Sequence, residues 1–346
     1  MDKNNSDEHY YKLSIAPMLD ITTNHFRSFM RLLTKETLLY TEMINEDTIL
    51  NSKQNVLKYN IEQKPICLQI GGNNPEKLNL CSIKAKDYNY NELNFNCGCP
   101  SGKVTEKKFG ASLMNEPILV GECVKEMNKN IFTSIKCRIG LNKYDKKFLE
   151  TFINKTSEIS NINKYIIHCR IAIMGINTIK NRNIPPLQYE IIDELKEKYP
   201  KFNFVVNGGI KNLNDVKNFN NKGFGCMIGR AAYDNPYLFR YADSEIFNKK
   251  NIGFNRKEII YKYCDYCVNF LNDFNGKIGK GIINELIKPI TNLFCGEKNN
   301  SEYRNLLYSI NKVNDLDKKN YDILNEHFYT VVENFEKINP EAMYKF

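Results

Sequence analysis

The sequence of 346 residues has no long apolar run and lacks the cysteine density of a disulfide-linked scaffold. No stretch approaches the ~20 apolar residues that a membrane-spanning helix needs. The polar segment at residues 1–7 lacks the apolar core of a signal peptide. The 11 cysteines are too sparse for a disulfide scaffold. We therefore expect a cytoplasmic protein in a reducing compartment that does not bind membranes, and we expect a monomer.

Two cofactor motifs are also missing. Cys97 and Cys99 are separated by one residue, whereas zinc knuckles place two or more residues between their cysteines, and no Cys/His pair follows at finger spacing. The first β-rich run is not followed by the G-x-G-x-x-G turn of a dinucleotide-binding sheet. The sequence therefore predicts no metal site and disfavours a doubly wound open sheet, which is the main alternative fold.

The composition is that of a large globular protein with a basic surface. Lys and Arg number 49 against 40 Asp and Glu, a formal net charge of +9 at pH 7, and 42% of the residues are hydrophobic. This balance excludes a fully disordered or collagen-like chain and allows a large core with a smaller second domain. The excess of positive charge favours a polyanionic partner.

Short β-rich runs alternate with helix-like segments along most of the chain. The runs are continuously apolar, as expected for strands covered on both faces, and the intervals suit one helix in each crossover. Eight repeats of strand and helix predict a (β/α)₈ TIM barrel, which typically needs about 250 residues. The predicted strands lie at 13–16, 38–41, 66–70, 93–96, 133–137, 165–168, 202–206 and 225–228.

The pattern changes after Phe247, where strand-like runs stop. Apolar residues then recur at helical spacing at 257–274, 279–294 and 321–338. We predict a small all-helical C-terminal domain beyond the barrel. The predicted organisation is a flexible N-terminal tail at 1–10, the barrel at 11–247, a linker at 248–255 and the helical domain at 256–346.

Glycine-rich sequences end the last two predicted strands. In TIM barrels the active site lies at the carboxyl ends of the strands, and the loops after strands seven and eight commonly bind a phosphate. Gly208-Gly209 and Gly229-Arg230 occupy these positions; glycines let backbone N–H groups approach phosphate oxygens, and arginine adds a cation. The alternative is that the glycines only permit tight turns.

Four further side chains should surround the same opening. Met18 offers an apolar wall, Gln69 an amide that can pair with a pyrimidine-like edge, and Lys136 and His168 offer cationic or switchable donors. These groups suit an isoalloxazine ring, which gathers negative charge near N1 on reduction, and so favour flavin mononucleotide (FMN). The alternative is that Lys136 and His168 are satisfied polar residues at the barrel rim.

Cys99 is the candidate proton donor. It follows the fourth predicted strand in a Cys-Pro-Ser loop, where a thiol can donate a proton or attack an electrophile. Cys97 differs only in spacing, and we favour Cys99 because it is the outer loop residue. His25 is another possible acid, but it falls in a segment that resembles a helix, where a packed or solvated histidine is more common.

These residues belong to an ordered series of motifs that runs along the barrel. The motifs are Ala-Pro-Met-Leu-Asp at 16–20, Leu-Tyr-Thr-Glu-Met at 39–43, Leu-Gln-Ile-Gly-Gly at 68–72, Asn-Phe-Asn-Cys-Gly-Cys-Pro-Ser at 94–101, Phe-Gly-Ala at 109–111, Lys-Cys-Arg-Ile-Gly at 136–140, Ile-His-Cys-Arg at 167–170, Asn-Arg-Asn-Ile-Pro-Pro-Leu at 181–187, Asn-Gly-Gly-Ile at 207–210 and Gly-Arg at 229–230. Together they resemble the tRNA-dihydrouridine synthases, specifically their A branch. Two motifs depart from the A-branch pattern, since Ile171 stands in place of a lysine and Cys97 in place of a valine.

The resemblance implies reduction of uridine to 5,6-dihydrouridine in the tRNA D-loop, in the position 20/20a class. Reduced FMN would pass hydride from N5 to uracil C6, Cys99 would protonate C5, and NADPH would recharge the flavin. By resemblance Asn96 and Arg138 would meet the target uridine, and Arg170 and Arg182 would face the tRNA. The implied FMN contacts are Pro17, Met18, Leu19, Gln69, Lys136, His168, Asn207, Gly208, Gly209, Gly229 and Arg230.

Two other functions remain open at this point. A flavin barrel of this kind could reduce a small pyrimidine or enone, in which case turnover would lack the salt dependence of tRNA binding. A tRNA-binding protein with lapsed catalysis is the other alternative, motivated by Ile171 and by the Glu-Tyr-Arg-Asn sequence at 302–305, where the family has an Arg-rich stretch. Retention of the complete FMN set and of Cys99 argues against lapsed catalysis.

Overall fold

The computed structural model of the protein describes residues 11–274, 280–312 and 321–345. Eight parallel strands form a closed barrel in which each strand pairs with the next and the last pairs with the first. The predicted TIM barrel is therefore confirmed, and the open sheet is excluded. The strands are β1 (Leu13–Ile15), β2 (Leu38–Asn45), β3 (Ile66–Gly71), β4 (Glu92–Cys97), β5 (Thr133–Arg138), β6 (Lys164–His168), β7 (Asn203–Asn207) and β8 (Gly225–Ile228).

Helices follow the strands and continue beyond the barrel. Short 3₁₀ helices lie at Ile61–Gln63, Gly110–Asn115, Pro236–Tyr241, Lys288–Ile290 and Ser309–Lys312. The α-helices are α1 (Asn24–Met30), α2 (Glu46–Asn51), α3 (Pro75–Asp87), α4 (Gly102–Thr105), α5 (Pro117–Asn128), α6 (Lys146–Ser160), α7 (Lys180–Asn183), α8 (Glu190–Lys198), α9 (Leu213–Asn221), α10 (Arg230–Asp234), α11 (Ala242–Phe247), α12 (Arg256–Asp273), α13 (Lys280–Ile287), α14 (Asn300–Tyr308), α15 (Tyr321–Ile338) and α16 (Pro340–Tyr344).

Local signals in the sequence explain where the long barrel helices begin. The side chains of Asn74, Asp145 and Asn212 each accept a hydrogen bond from a backbone N–H in the first turn of α3, α6 and α9. A proline at the first position strengthens the start of α3, because its missing N–H would have had no intrahelical acceptor. At the other end, α6 stops where Asn161 adopts a left-handed conformation.

The barrel interior contains an apolar cluster drawn from opposite walls. Tyr40 of β2, Cys67 of β3, Ile166 of β6 and Met227 of β8 pack against one another and are all buried. Residues from opposite strands can meet only inside the barrel, so these positions face inward. Side chains alternate along a strand, and every second residue from each of these positions therefore also faces inward.

The chain divides into two compact units, 1–20 with 37–229 and 21–36 with 230–346. This boundary lies between Gly229 and Arg230, whereas the sequence predicted it at Phe247. Residues 21–36, which include α1, also belong to the second unit. The first ten residues, predicted to be a flexible tail, lie outside the described residues, and the predicted linker at 248–255 contains no helix or strand.

The buried carboxylate of Asp243 joins the two segments of the second unit. Its two oxygens accept hydrogen bonds from the Thr34 hydroxyl at 2.5 Å, the Lys35 N–H at 2.8 Å and the Glu36 N–H at 3.2 Å. These contacts bind the segment after α1 to α11, more than two hundred residues later. Contacts so distant in sequence leave no local pattern, which is why the sequence did not reveal that residues 21–36 belong to the second unit.

A buried arginine organises the second unit. Arg256, the first residue of α12, donates to the carbonyls of Leu293 and Ala342, both at 3.0 Å, and to the Glu297 carboxylate at 3.0 Å. Its guanidinium also lies 3.8 Å from the centroid of the Tyr237 ring. Helices are present beyond Phe247, as predicted, and Arg256 connects the start of α12 to the segment around Leu293 and to α16. None of the helices in the described parts of the chain is long and apolar enough to cross a membrane.

We predict that Asp243→Asn lowers the free energy of unfolding by about 1–3 kcal/mol, because the amide nitrogen would face a donor and leave it unsatisfied. Urea denaturation of the two proteins measures the difference. Asp234→Asn, at an exposed position of α10, is the matched control and should change stability by less than about 0.5 kcal/mol. Equal effects of the two substitutions would contradict the role given to Asp243.

Candidate active site

The residues predicted at the barrel mouth occupy inward-facing positions near the carboxyl ends of their strands. Gln69 lies two residues after Cys67, and His168 lies two residues after Ile166, so both share the face of the inner core. Asn207 lies two residues after Val205 by the same argument. This is the face at which TIM barrels carry their active sites.

An amide pair joins β3 to β4 at this mouth. Asn96 Nδ2 donates to Gln69 Oε1 at 2.9 Å, and both side chains are buried. Asn96 Oδ1 accepts hydrogen bonds from the Gly98 N–H at 3.2 Å and the Cys99 N–H at 2.6 Å. Asn96 therefore holds the backbone of the loop that carries Cys99, a role that its position in the sequence did not suggest.

The two cysteines of this loop differ in accessibility. Cys97 is fully buried at the end of β4, and burial raises the pKa of its thiol well above the ordinary range. Cys99 is partly exposed, and its carbonyl accepts a hydrogen bond from the Ala111 N–H at 2.9 Å. Because only an accessible thiol can reach a substrate, the geometry favours Cys99 over Cys97 as the proton donor.

Lys136 places at the mouth an ammonium group whose pKa is lower than that of an ordinary lysine. Its side chain is partly buried on β5, and desolvation lowers its pKa to about 8, with the nearby Arg138 guanidinium acting in the same direction. Cys99 is close enough to oppose this shift electrostatically. Within the described residues the ammonium makes no hydrogen bond, so it is available to an anionic or electron-rich ligand.

Arg138 is tied to backbone carbonyls of neighbouring loops. Its guanidinium donates to Gly98 O at 3.1 Å, Ile171 O at 2.9 Å and Asn181 O at 3.2 Å. Burial lowers its pKa to about 10, while Cys99 opposes that shift. Arg138 thus links the loop after β4 to the loop after β6, next to the thiol.

The loops after β7 and β8 form a cradle of exposed backbone. Gly208 and Gly209 have φ angles of +105° and +76°, a region that disfavours side chains. A Cβ atom on Gly209 would lie 2.4 Å from Leu187 Cδ1 and 2.5 Å from Tyr189 Oη, so a larger residue there would have to displace these side chains. Tyr189 fixes the turn by donating to Gly208 O at 2.6 Å.

The N–H groups of this cradle suit an anion. Within residues 11–274, 280–312 and 321–345, the backbone N–H groups of Gly208, Gly209 and Gly229 have no protein acceptor. A Cβ on Gly229 would touch only Ala16, at 3.8 Å, which leaves room above its backbone. Arg230 follows directly as the first residue of α10. Arg230 belongs to the second compact unit. Bare backbone N–H groups of this kind are by themselves a typical phosphate site.

The remaining predicted contacts are spread around the rim. Met18 packs against the inner core, Pro17 is partly buried, and Leu19 is 72% exposed. Arg170 donates through Nε to Pro185 O at 2.7 Å, which holds the chain that leads to α8. Arg182 lies on the short helix α7 and is partly exposed.

His25, the alternative acid, is buried and hydrogen-bonded to the Tyr266 hydroxyl at 2.8 Å.

Sequence reasoning missed two residues that shape the mouth. Tyr189 fixes the glycine turn, as described above. Asn181 is fully buried, accepts from the Ile173 N–H at 2.7 Å and donates to Ile173 O at 2.8 Å, which closes the loop after β6. Asn181 opens the motif at 181–187, but sequence reasoning assigned it no role of its own, and Tyr189 lies just beyond that motif. The partners of both residues depend on the folded geometry.

A closed parallel barrel with an accessible thiol and a cationic, glycine-lined mouth at one end has the architecture of a TIM-barrel enzyme. A family model described as dihydrouridine synthase matches residues 14–330. The chain therefore belongs to the dihydrouridine synthase family, in agreement with the resemblance noted in its motifs.

Individual relatives agree with this assignment. The chain is 42% identical over 262 residues to the tRNA-dihydrouridine(20/20a) synthase of Vibrio vulnificus, covering 75% of this chain and 80% of the relative. It is 37% identical over 313 residues to the enzyme of the same name from Synechocystis, covering 89% and 91%. A solved 2-naphthoyl-CoA reductase superposes with a TM-score of 0.51 at 10% identity, over 67% of this chain and 49% of that one, and shares the fold.

We predict that Lys136→Met makes the cofactor-free protein more stable at pH 7 by about 1–3 kcal/mol. The folded pKa of about 8 lies below the ordinary value of 10.5, so burying the charged form costs stability in full below pH 8. That cost fades as the pH approaches 10, and the advantage of methionine should fade with it. Urea denaturation between pH 7 and pH 10 measures both proteins.

Lys125→Met, on the exposed face of α5, is the matched control. Its stability relative to the wild type should not depend on pH in this way. A Lys136→Met difference that stays constant from pH 7 to pH 10 would show that Lys136 does not titrate near 8.

Proposed function

We propose that the protein reduces uridine to 5,6-dihydrouridine in tRNA, using bound FMN and NADPH, in the class of the 20/20a positions of the D-loop. The observation that carries the proposal is the family match over residues 14–330 combined with an accessible Cys99 at the mouth of the barrel. Relatives that cover 75–89% of the chain carry the name tRNA-dihydrouridine(20/20a) synthase. We place the reaction in the cytoplasm, with the protein as a monomer.

The residues at the mouth fit FMN. The N–H groups of Gly208, Gly209 and Gly229 suit its phosphate, and Arg230 adds a cation. Lys136, which makes no hydrogen bond within the described residues, supplies positive charge for the electron-rich edge of the ring system. We assign the ring contacts to Gln69, His168, Asn207 and the segment Pro17, Met18 and Leu19. When bound, the reduced flavin supplies a hydride to uracil C6 and is reduced again by NADPH.

Cys99 completes the reduction. Adding hydride at C6 breaks the C5=C6 double bond and leaves an electron pair at C5, which needs a proton. The Cys99 thiol donates that proton and becomes a thiolate, which water reprotonates. The thiol reaches the substrate because its backbone is held at the rim by Asn96 and Ala111.

The arginines and the net positive charge support tRNA as the substrate. The net charge of +9 provides sequence-independent attraction to phosphates, and the target base must leave its stack to reach the mouth. We assign phosphate contacts to Arg170 and Arg182. Asn96 and Arg138 lie beside Cys99, and after its bonds to Gln69 and the loop Asn96 keeps one N–H for the uracil.

The test is direct. Purified protein is incubated with FMN, NADPH and a tRNA transcript that contains no dihydrouridine, and the modified base is quantified by mass spectrometry of the nucleosides. We expect dihydrouridine in the D-loop, with a rate that falls steeply as salt is raised from 50 to 200 mM, as phosphate contacts require. Failure to form dihydrouridine under these conditions would refute the proposal, and activity on free uracil without salt dependence would favour a small substrate.

We predict that Cys99→Ala lowers the turnover of tRNA by about 10²- to 10⁴-fold, the usual contribution of a positioned proton donor. The flavin content, read from the visible absorbance spectrum, should not change. Cys97→Ala is the matched control, because it removes a buried thiol two residues away; its turnover should stay within about threefold of wild type while its stability falls. The reverse ranking would transfer the proton donor to Cys97.

A further inference from the structure

A buried ion pair lies deep in the barrel, at the amino ends of two strands. Lys164 Nζ lies 2.7 Å from Glu92 Oε2, and each residue is only 5% exposed. Lys164 begins β6 and Glu92 begins β4, so the pair is at the end of the barrel opposite the mouth. Nothing in the proposed reaction uses these two charges.

Side-chain hydrogen bonds lead from this pair towards the middle of the barrel. Ser134 Oγ donates to Glu92 Oε1 at 2.5 Å, and Asn94 Nδ2 donates to Ser134 Oγ at 2.9 Å. The alternative acceptor for the serine hydroxyl, Leu93 O, is farther away at 3.3 Å. Ser134 and Asn94 are both fully buried.

The same series continues to the mouth. Gln69 Nε2 donates to Asn94 Oδ1 at 2.7 Å, and Gln69 Oε1 accepts from Asn96 Nδ2. Asn96 Oδ1 then accepts the Cys99 N–H at 2.6 Å. Glu92, Asn94 and Asn96 are alternate residues of β4 and share its inward face. We call this continuous series, from Lys164 to the Cys99 backbone, the polar column.

The two ends of the polar column fix the orientation of everything between them. At the mouth a backbone N–H can only donate, and at the other end a carboxylate can only accept. Every bond between Cys99 and Glu92 must therefore run in one direction, from Cys99 towards Glu92, and Lys164 donates to the same carboxylate from the other side. Turning over any one amide would set two donors or two acceptors against each other in a buried place, which is costly.

We propose that Ser134, Asn94 and Glu92 are positioning residues that act through Gln69 and Asn96 on the loop of Cys99. The inference rests on the proposed function for its kinetic part, because Cys99 is the proton donor and Gln69 a flavin contact there. By fixing the amide of Gln69, the column uses one of its two N–H groups and one of its two oxygen lone pairs. The directions of the other N–H and the other lone pair are then fixed as well. By fixing Asn96, it holds the backbone N–H of Cys99 and so positions the loop that carries the thiol.

Ser134→Ala tests the inference because it removes one hydroxyl in the middle of the polar column. Ser160→Ala is the matched control: Ser160 is buried in α6 and donates to Thr156 O at 2.5 Å, outside the column. Ser134→Thr keeps the hydroxyl but adds a methyl group. If the alanine variant does not accumulate as folded protein, Ser134→Cys replaces it. The cysteine side chain is close in shape to that of serine, but its thiol is a weak hydrogen-bond donor and acceptor.

Two measurements are made on the proteins as purified. The first is amide hydrogen exchange of the peptide that spans residues 96–101, which reports the Cys99 N–H without any need for activity. The second is the single-turnover rate of uridine reduction by pre-reduced enzyme with saturating tRNA, compared with the KM for tRNA and the rate of flavin reduction by NADPH.

We expect Ser134→Ala to exchange about tenfold faster in this peptide and to reduce uridine about tenfold more slowly, the size of effect that loss of one buried hydrogen bond produces. KM for tRNA should be unchanged. Ser160→Ala should match wild type in both, and Ser134→Thr should be closer to wild type than Ser134→Ala.

The opposite pattern would overturn the inference. If packing alone matters, the overpacked Thr variant should be worse than the Ala variant, and Ser134→Ala should resemble Ser160→Ala in both measurements. A wild-type protein that forms no dihydrouridine would refute the proposed function, and hydrogen exchange would still decide whether the column holds the loop.

Discussion

Closure of the barrel by pairing β8 with β1 is the constraint on which the rest of the structure depends. Once the sheet has no edge, the carboxyl ends of all eight strands meet around one opening, and alternate residues of each strand must share one interior. Lys136, His168 and Asn207 lie far apart in sequence and converge for this reason alone. Few side chains fit inside such a barrel, so a substitution at any inward position affects the packing of the interior or the lining of the mouth.

That interior is divided by chemistry. The apolar cluster around Tyr40, Ile166 and Met227 comes mostly from β2, β6, β7 and β8, with Cys67 at the base of β3. The buried amides, the hydroxyl and the carboxylate of the polar column come from β3, β4 and β5. The apolar part gains stability from burial. The polar part gains little net stability, because its groups also bond to water in the unfolded chain; its benefit is a single defined arrangement beneath the reactive thiol.

The strands and the mouth could be predicted because their signals are local. Continuous apolar runs marked the eight strands, and Gly208-Gly209, Gly229-Arg230 and Cys99 followed the ends of three of them within two residues. The association of residues 21–36 with the second unit could not be predicted, since the Asp243 carboxylate binds residues more than two hundred positions earlier. Asn96 and Arg138 were expected to meet substrate, but their hydrogen bonds to the loops around Cys99 depend on three-dimensional neighbours that no spacing reveals.

The lowered pKa of Lys136 also changes what this side chain is chemically. With a pKa of about 8, roughly a tenth of the side chains are neutral amines at pH 7, compared with less than one in a thousand for a solvated lysine. A neutral amine is a nucleophile that condenses with aldehydes and is readily acylated. The burial that lowers the pKa of Lys136 therefore also makes this side chain reactive towards aldehydes and acylating reagents when no ligand occupies the mouth of the barrel.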